Sequence, residues 1–120
     1  MRTNEWQDSA KAAAETVLRA VAAEDPSQAV AFLSDASRAI SEALREAMAA
    51  AVLDGASMRR VAEIAGIAPN SVPPRLARSK PLAPYVDDGT ITADIIAVAR
   101  HDAAVGRPPM QFVPRRKDPS

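Results

Sequence analysis

Alanine lines the apolar stripes of this sequence where bulkier side chains would ordinarily pack, at 27 of 120 positions. An alanine methyl removes little area from water, so the 48% hydrophobic content overstates the core the chain can build. The same residue is the strongest helix former, while the aromatic residues that strands favour make up only 3%. The expected fold class is therefore all-α, a small helical domain of about five to six helices. A core this thin also favours dimerisation, because small domains hide a smaller fraction of their surface.

Several classes are excluded at once. With no Cys there is no disulfide scaffold, no Cys-based zinc site and no thiol nucleophile. The longest apolar runs, such as Ala47 to Leu53, fall far short of the roughly 20 residues that span a bilayer. The start, MRTNEWQDSAK, lacks the charged-then-apolar layout of a signal peptide, so a cytoplasmic protein without membrane partners is expected.

Periodicity places the helices. Trp6, Val17, Leu18 and Val21, with Ala10, Ala13 and Ala14 between them, recur at helical steps from Asn4 to Ala23. Asp25 and Pro26 close that helix. A second, short helix is expected from Pro26 or Ser27 through Val30, Phe32 and Leu33, ending at Ser34 and Asp35. A third runs from about Ser37 to Leu53, with Ile40, Leu44, Met48, Ala51 and Val52 on one face and Gly55 just past its end. Ser57 is a natural N-cap for a short helix to Ala65; Gly66 allows a left-handed turn, and Ile67 precedes a second helical stretch that ends near Arg78 and Ser79. Around residues 86–91 the Asp88–Gly89 pair turns either a very short hairpin or a plain loop. Thr92 then caps a last helix from Ala93 to about Val105, carrying Ile95, Ile96, Val98 and Ala99.

Charge is segregated although it sums to zero. Residues 1–54 hold five basic and nine acidic side chains, whereas residues 55–86 hold Arg59, Arg60, Arg75, Arg78 and Lys80 against Glu63 alone. A basic middle beside an acidic start suggests one region that meets an anion and another that meets protein or solvent.

The stretch GASMRRVAEIAGIAPNSVPPRLARS, residues 55–79, resembles a bacterial helix-turn-helix, and within that class it is most similar to the DNA-binding region of sigma-70 region 4 and of LuxR-type regulators. Val61 and Ala62 stand where the first helix of that motif needs an apolar and then a small residue. Gly66 occupies the turn, Ile67 comes directly after it, and Val72 and Leu76 form the buried face of the second helix. The resemblance covers about a fifth of the chain. It implies a homodimeric, sequence-specific double-stranded DNA-binding protein, a transcriptional regulator of bacterial, phage or plasmid origin. On this division residues 1–54 self-associate, residues 55–105 hold the motif and the last helix, and residues 106–120 form an extended tail.

Pro73 and Pro74 depart from the motif, standing where related recognition helices carry polar or basic readers. A helix begun at Pro69 would lose the bond from Pro74 to Asn70, at roughly 3 kcal/mol or more. With Ser71 or Val72 as the cap, both prolines fall in the first turn, where their missing donors are free anyway. The expected DNA-binding residues are Ser57, Arg59 and Arg60 for phosphates, and Asn70, Ser71, Arg75, Arg78 and Lys80 from the turn and second helix. Asn70 pairs adenine and Arg75 or Arg78 guanine, spacing leaving open which arginine reads and which anchors.

The alternative is a helical protein-interaction module, such as an adaptor, antitoxin-like or phage assembly and packaging protein, with a degenerate helix-turn-helix. An enzyme ranks last: no catalytic triad, phosphate loop, metal ligand set or cofactor motif can be assembled. His101 is expected to be an exposed helix-end residue and Asp87 and Asp88 turn formers. Trp6 is expected as a helix anchor or dimer contact, and Arg115, Arg116 and Lys117 as either a phosphate-gripping arm or a solvated tail.

Overall fold

The computed structural model describes residues 5–86 and 88–106. Among these lie five α-helices: α1 (Glu5–Val21), α2 (Pro26–Leu53), α3 (Met58–Ala65), α4 (Val72–Ala77) and α5 (Ala93–Ala104). Short 3₁₀ turns occur at Pro69–Ser71 and Ala83–Tyr85, and no strand forms among the described residues. The fold is the small all-α domain that alanine content demands. Asp87, the tail from residue 107 onward and its Arg115, Arg116 and Lys117 lie outside the described residues. Asp88 (φ 59°) and Gly89 (φ 69°) both take positive φ, as the centre of a two-residue hairpin turn does, and Thr90 forms an isolated bridge; the described part of residues 86–91 is thus a tight turn with one bridging residue and no strand. No helix among the described residues is long and apolar enough to cross a membrane.

Two compact units make up the chain, residues 1–47 and 48–120, and the division falls inside α2. In the first unit, α1 ends at Val21, and Asp25 opens the next helix by accepting the Gln28 amide (2.9 Å) while the Gln28 side chain accepts the Glu24 amide (3.0 Å). Reciprocal capping of this kind, with Pro26 as the first helical residue, satisfies donors that helix starts leave open.

The second and third expected helices are one helix of 28 residues. Ser34 and Asp35 read as a break, yet each costs only a fraction of a kcal/mol in a helix interior, against four unpaired amides and four unpaired carbonyls at a new pair of ends. Asp35 moreover pairs with Arg38 one turn on, at 3.3 Å.

The second unit holds the large buried side chains. Met48 and Val52 from the last turns of α2 meet Val61 and Ala62 of α3, Val72 and Leu76 of α4, Leu82 and Tyr85, and Ile91, Ile95, Ile96 and Ala99 at α5. Each element contributes, and the closure is polar as well as apolar. Arg100 of α5 donates to the carbonyls of Val52 (2.9 Å) and Ala56 (3.1 Å), gripping the negative end of α2. The Tyr85 hydroxyl donates to Asp102 Oδ2 at 2.6 Å, with both residues buried.

A hydrogen bond to a buried carboxyl group is worth about 1.5–3 kcal/mol when the group is charged, and removing the hydroxyl takes one partner from Asp102. Tyr85→Phe is therefore expected to lower the unfolding free energy by about that amount in urea titration, with the helical signal of the native state retained; an unchanged midpoint would show that the bond does not hold α5 in place.

Candidate nucleic-acid interface

Ser57 precedes α3 with extended backbone angles (φ −77°, ψ 158°), and its Oγ accepts the Arg60 amide at 3.0 Å, as a helix cap should. Arg59 and Arg60 then fall in the first turn and are exposed. Val61 and Ala62 turn inward at 4% and 1% exposure, while Ile64, apolar as well, stands 70% exposed.

The turn after α3 is set by its backbone. Gly66 takes a left-handed conformation (φ 74°, ψ 32°); its amide donates to Glu63 O (3.3 Å) and the Ile67 amide reaches back to Ala62 O (3.1 Å). These two bonds close the end of the helix in a Schellman motif, with Ile67 packed against the core as its apolar partner. Gly55 ends α2 the same way: Gly55 N donates to Val52 O and Ala56 N to Ala51 O.

From Gly66 the chain passes through the 3₁₀ turn at Pro69–Ser71 into α4, and α3 packs against both. Helix α4 starts at Val72, so Pro73 and Pro74 sit in its first turn as the cheaper register requires. Ser71 stands at the cap position but its side chain caps nothing. The reason is chemical: an N-cap hydroxyl accepts from the second or third helical amide, and both residues there are prolines without an N–H.

Asn70 is exposed in the turn, Ser71 and Arg75 are half-buried, and Arg78 and Lys80 lie just beyond α4, Lys80 exposed. Arg60 is tied to Glu63 at 3.2 Å across exposed surface, a pair worth little in water. Arg59, Arg75 and Arg78 make no ion pair among the described residues. The eight residues expected to contact DNA thus fall in three places: the start of α3, the turn, and the stretch from the end of α4 to Lys80. His101 is exposed on α5.

Sequence reasoning passed over Arg100, Tyr85 and Asp102, whose roles are structural. Arg100 gives a weak signal, lying one position beyond the apolar Ile96 and Ala99 face. Tyr85 bonds across 17 residues, a separation that periodicity does not see.

Fold and surface together define a small all-helical protein with a basic, glycine-hinged pair of short helices. No protein-family model, no curated protein and no solved structure matches the chain.

Nothing stands within 4 Å of the place a β-carbon would take on Gly66, so a substitution there meets only the backbone penalty. Gly66→Ala is expected to cost about 1–2 kcal/mol in urea unfolding, and Gly66→Asn less, since Asn tolerates the left-handed region. Equal stability of Gly66→Ala and the parent chain would contradict this closure of the turn.

Proposed function

We propose that the chain is a sequence-specific double-stranded DNA-binding protein, a transcriptional regulator of bacterial, phage or plasmid type acting in the cytoplasm, in which residues 55–80 form a helix-turn-helix. The observation that carries the reading is the set of arginines around one turn, Arg59, Arg75 and Arg78, left without internal carboxylates while the side chains beneath them, Val61, Ala62, Val72 and Leu76, are buried. Such a unit is rigid on its inner side and cationic on its outer side, as a polyanion requires.

In this reading the capped start of α3, with Ser57, Arg59 and Arg60, positions the protein on phosphates. Asn70 and Ser71 are offered from the turn, and Arg75, Arg78 and Lys80 from α4 onward. Recognition helices read bases with their N-terminal residues, and in α4 those residues are Val72, Pro73 and Pro74. Base reading therefore falls to Asn70, Arg75 and Arg78, with adenine and guanine as their matched bases. Residues 4–54 supply self-association, which lets a short motif engage two half-sites. No catalysis, metal or cofactor enters.

A second reading draws on the same first turn of α4: with apolar residues where readers belong, the pair of helices serves as a protein-interaction module. DNA binding separates the two. Fluorescence anisotropy with duplex DNA at about 50 and 200 mM salt is expected to show affinity falling roughly 10²–10³-fold, as the release of about four to five counterions requires. The double substitution Arg75→Ala with Arg78→Ala is expected to weaken binding at least about tenfold and relax the preference for guanine, whereas Arg59→Ala is expected to weaken binding to all sequences alike and flatten the salt slope by about one. No binding at low salt would remove the DNA reading.

A further inference from the structure

We infer that a second copy of this chain docks on the apolar face of the α1–α2 hairpin, so that two hairpins close a four-helix bundle around a twofold axis. The inference deepens the reading of residues 4–54 as the self-associating region and stands on the geometry of the first unit alone.

Within the described part of that unit the only side chains that reach full burial are Ala13, Ala36 and Glu46. Trp6, Val17 and Phe32 are half-buried, and six other large apolar side chains remain in water: Leu18 at 66%, Val21 at 77%, Val30 at 67%, Leu33 at 51%, Ile40 at 52% and Leu44 at 38% exposure. Ordering the backbone costs about 1–2 kcal/mol per residue, and the hairpin sets against it two buried alanine methyls, one glutamate and the half-buried Trp6, Val17 and Phe32, a thin return for helices of this length.

These residues share a face. On α2, Val30, Leu33, Ile40 and Leu44 fall within an arc of roughly 80° at 100° per residue, at steps of three, seven and four residues as in a bundle seam, with Ser37 in the slot between Leu33 and Ile40. Asp35 and Glu42 project from the opposite side of the same helix and Arg38 and Arg45 from its flank, so no charged residue falls within the arc. On α1, Leu18 and Val21 continue the stripe of Ala10, Ala14 and Val17. Between the two helices runs an open groove of about 440 Å³, lined by Trp6, Ala10 and Val17 on one side and Ile40 and Leu44 on the other.

Area and charge select the occupant. The six exposed side chains amount to roughly 600 Å² of aliphatic surface, at the upper end of the largest patch a monomer ordinarily shows and near the ~800 Å² each partner brings to a standard interface. The aliphatic α2 part of the face, Val30, Leu33, Ile40 and Leu44, can meet a copy of itself without opposing like charges, while Lys11 and Glu15 border Leu18 on α1. Two hairpins of the same net negative charge can meet there because the acidic Asp35 and Glu42 of α2 lie on the far side and Arg38 and Arg45 on the flank. Isologous twofold pairing is the commonest closed arrangement for such a surface, and packing at about 20° between helices is the geometry its spacing supports.

Sedimentation velocity of the full chain, at roughly physiological ionic strength and across a hundredfold range of concentration, tests the inference. The expected mass is twice 12.7 kDa. Leu33→Glu with Ile40→Glu is expected to return it to a single 12.7 kDa chain, because both side chains are about half exposed and their replacement does not disturb the core of the second unit. Arg38→Ser, on the flank of α2 outside the arc, is expected to leave the dimer intact. A parent chain that stays monomeric throughout, or a dimer indifferent to the two glutamates, overturns the inference. Duplex binding is measured on the same samples at low salt: an intact dimer that ignores DNA removes the DNA reading and leaves the bundle standing, whereas a monomer that binds DNA does the reverse.

Discussion

Helices of eight and six residues do not hold in water by themselves, since isolated helices shorter than about 12–15 residues are marginal even when rich in alanine. Helices α3 and α4 exist because their inner residues, Val61, Ala62, Val72 and Leu76, complete a core already begun by Val52, Leu82 and Ile96. Burial of those few side chains is the constraint on which the rest of the second unit depends. It fixes which side of each short helix faces in, and by exclusion which side carries Arg59 and Arg60 into solvent. The left-handed backbone at Gly66 makes the crossing sharp, and Arg100 and Tyr85 hold α5 against the assembly from the other end of the sequence.

Much of this second unit was legible in the sequence because the signals are local. Ser57 and Thr92 both cap as their positions suggest, accepting the Arg60 and Ile95 amides. Gly66 and Gly55 close helices, and the prolines at 73 and 74 push the start of α4 to Val72 for a steric reason that can be read from the chain alone. The features that were not legible depend on distance or on relative cost. The continuity of α2 through Ser34 and Asp35 turns on a comparison of a small interior penalty with the larger penalty of new helix ends. The face of α2 read as one apolar surface divides in the structure, with Ile40 and Leu44 exposed and Met48 and Val52 buried. Periodicity reports that residues share a side, not the neighbours that cover it.

The candidate interface was legible as a set of residues but not as a set of environments. Three arginines without ion pairs and one tied to Glu63 could not be told apart from spacing. The half-burial of Arg75 and the idle hydroxyl of Ser71 result from the short, proline-led α4. These features shift any reading of bases away from the beginning of the helix and toward the turn before it and the residues at its end. A protein built in this way would gain much of its affinity from phosphates, and its discrimination from few side chains.

The central claim is that the outer side of α3, the turn and α4 forms one DNA-contacting surface. Backbone amide shift mapping by NMR, with the isotope-labelled full chain titrated with a short duplex at low salt, tests it most directly. Perturbations concentrated at Ser57, Arg59, Arg60, Asn70, Ser71, Arg75, Arg78 and Lys80, with the amides of α1 and of exposed His101 unmoved, are the predicted result. Shifts spread evenly over the chain, or centred on α5, would contradict it.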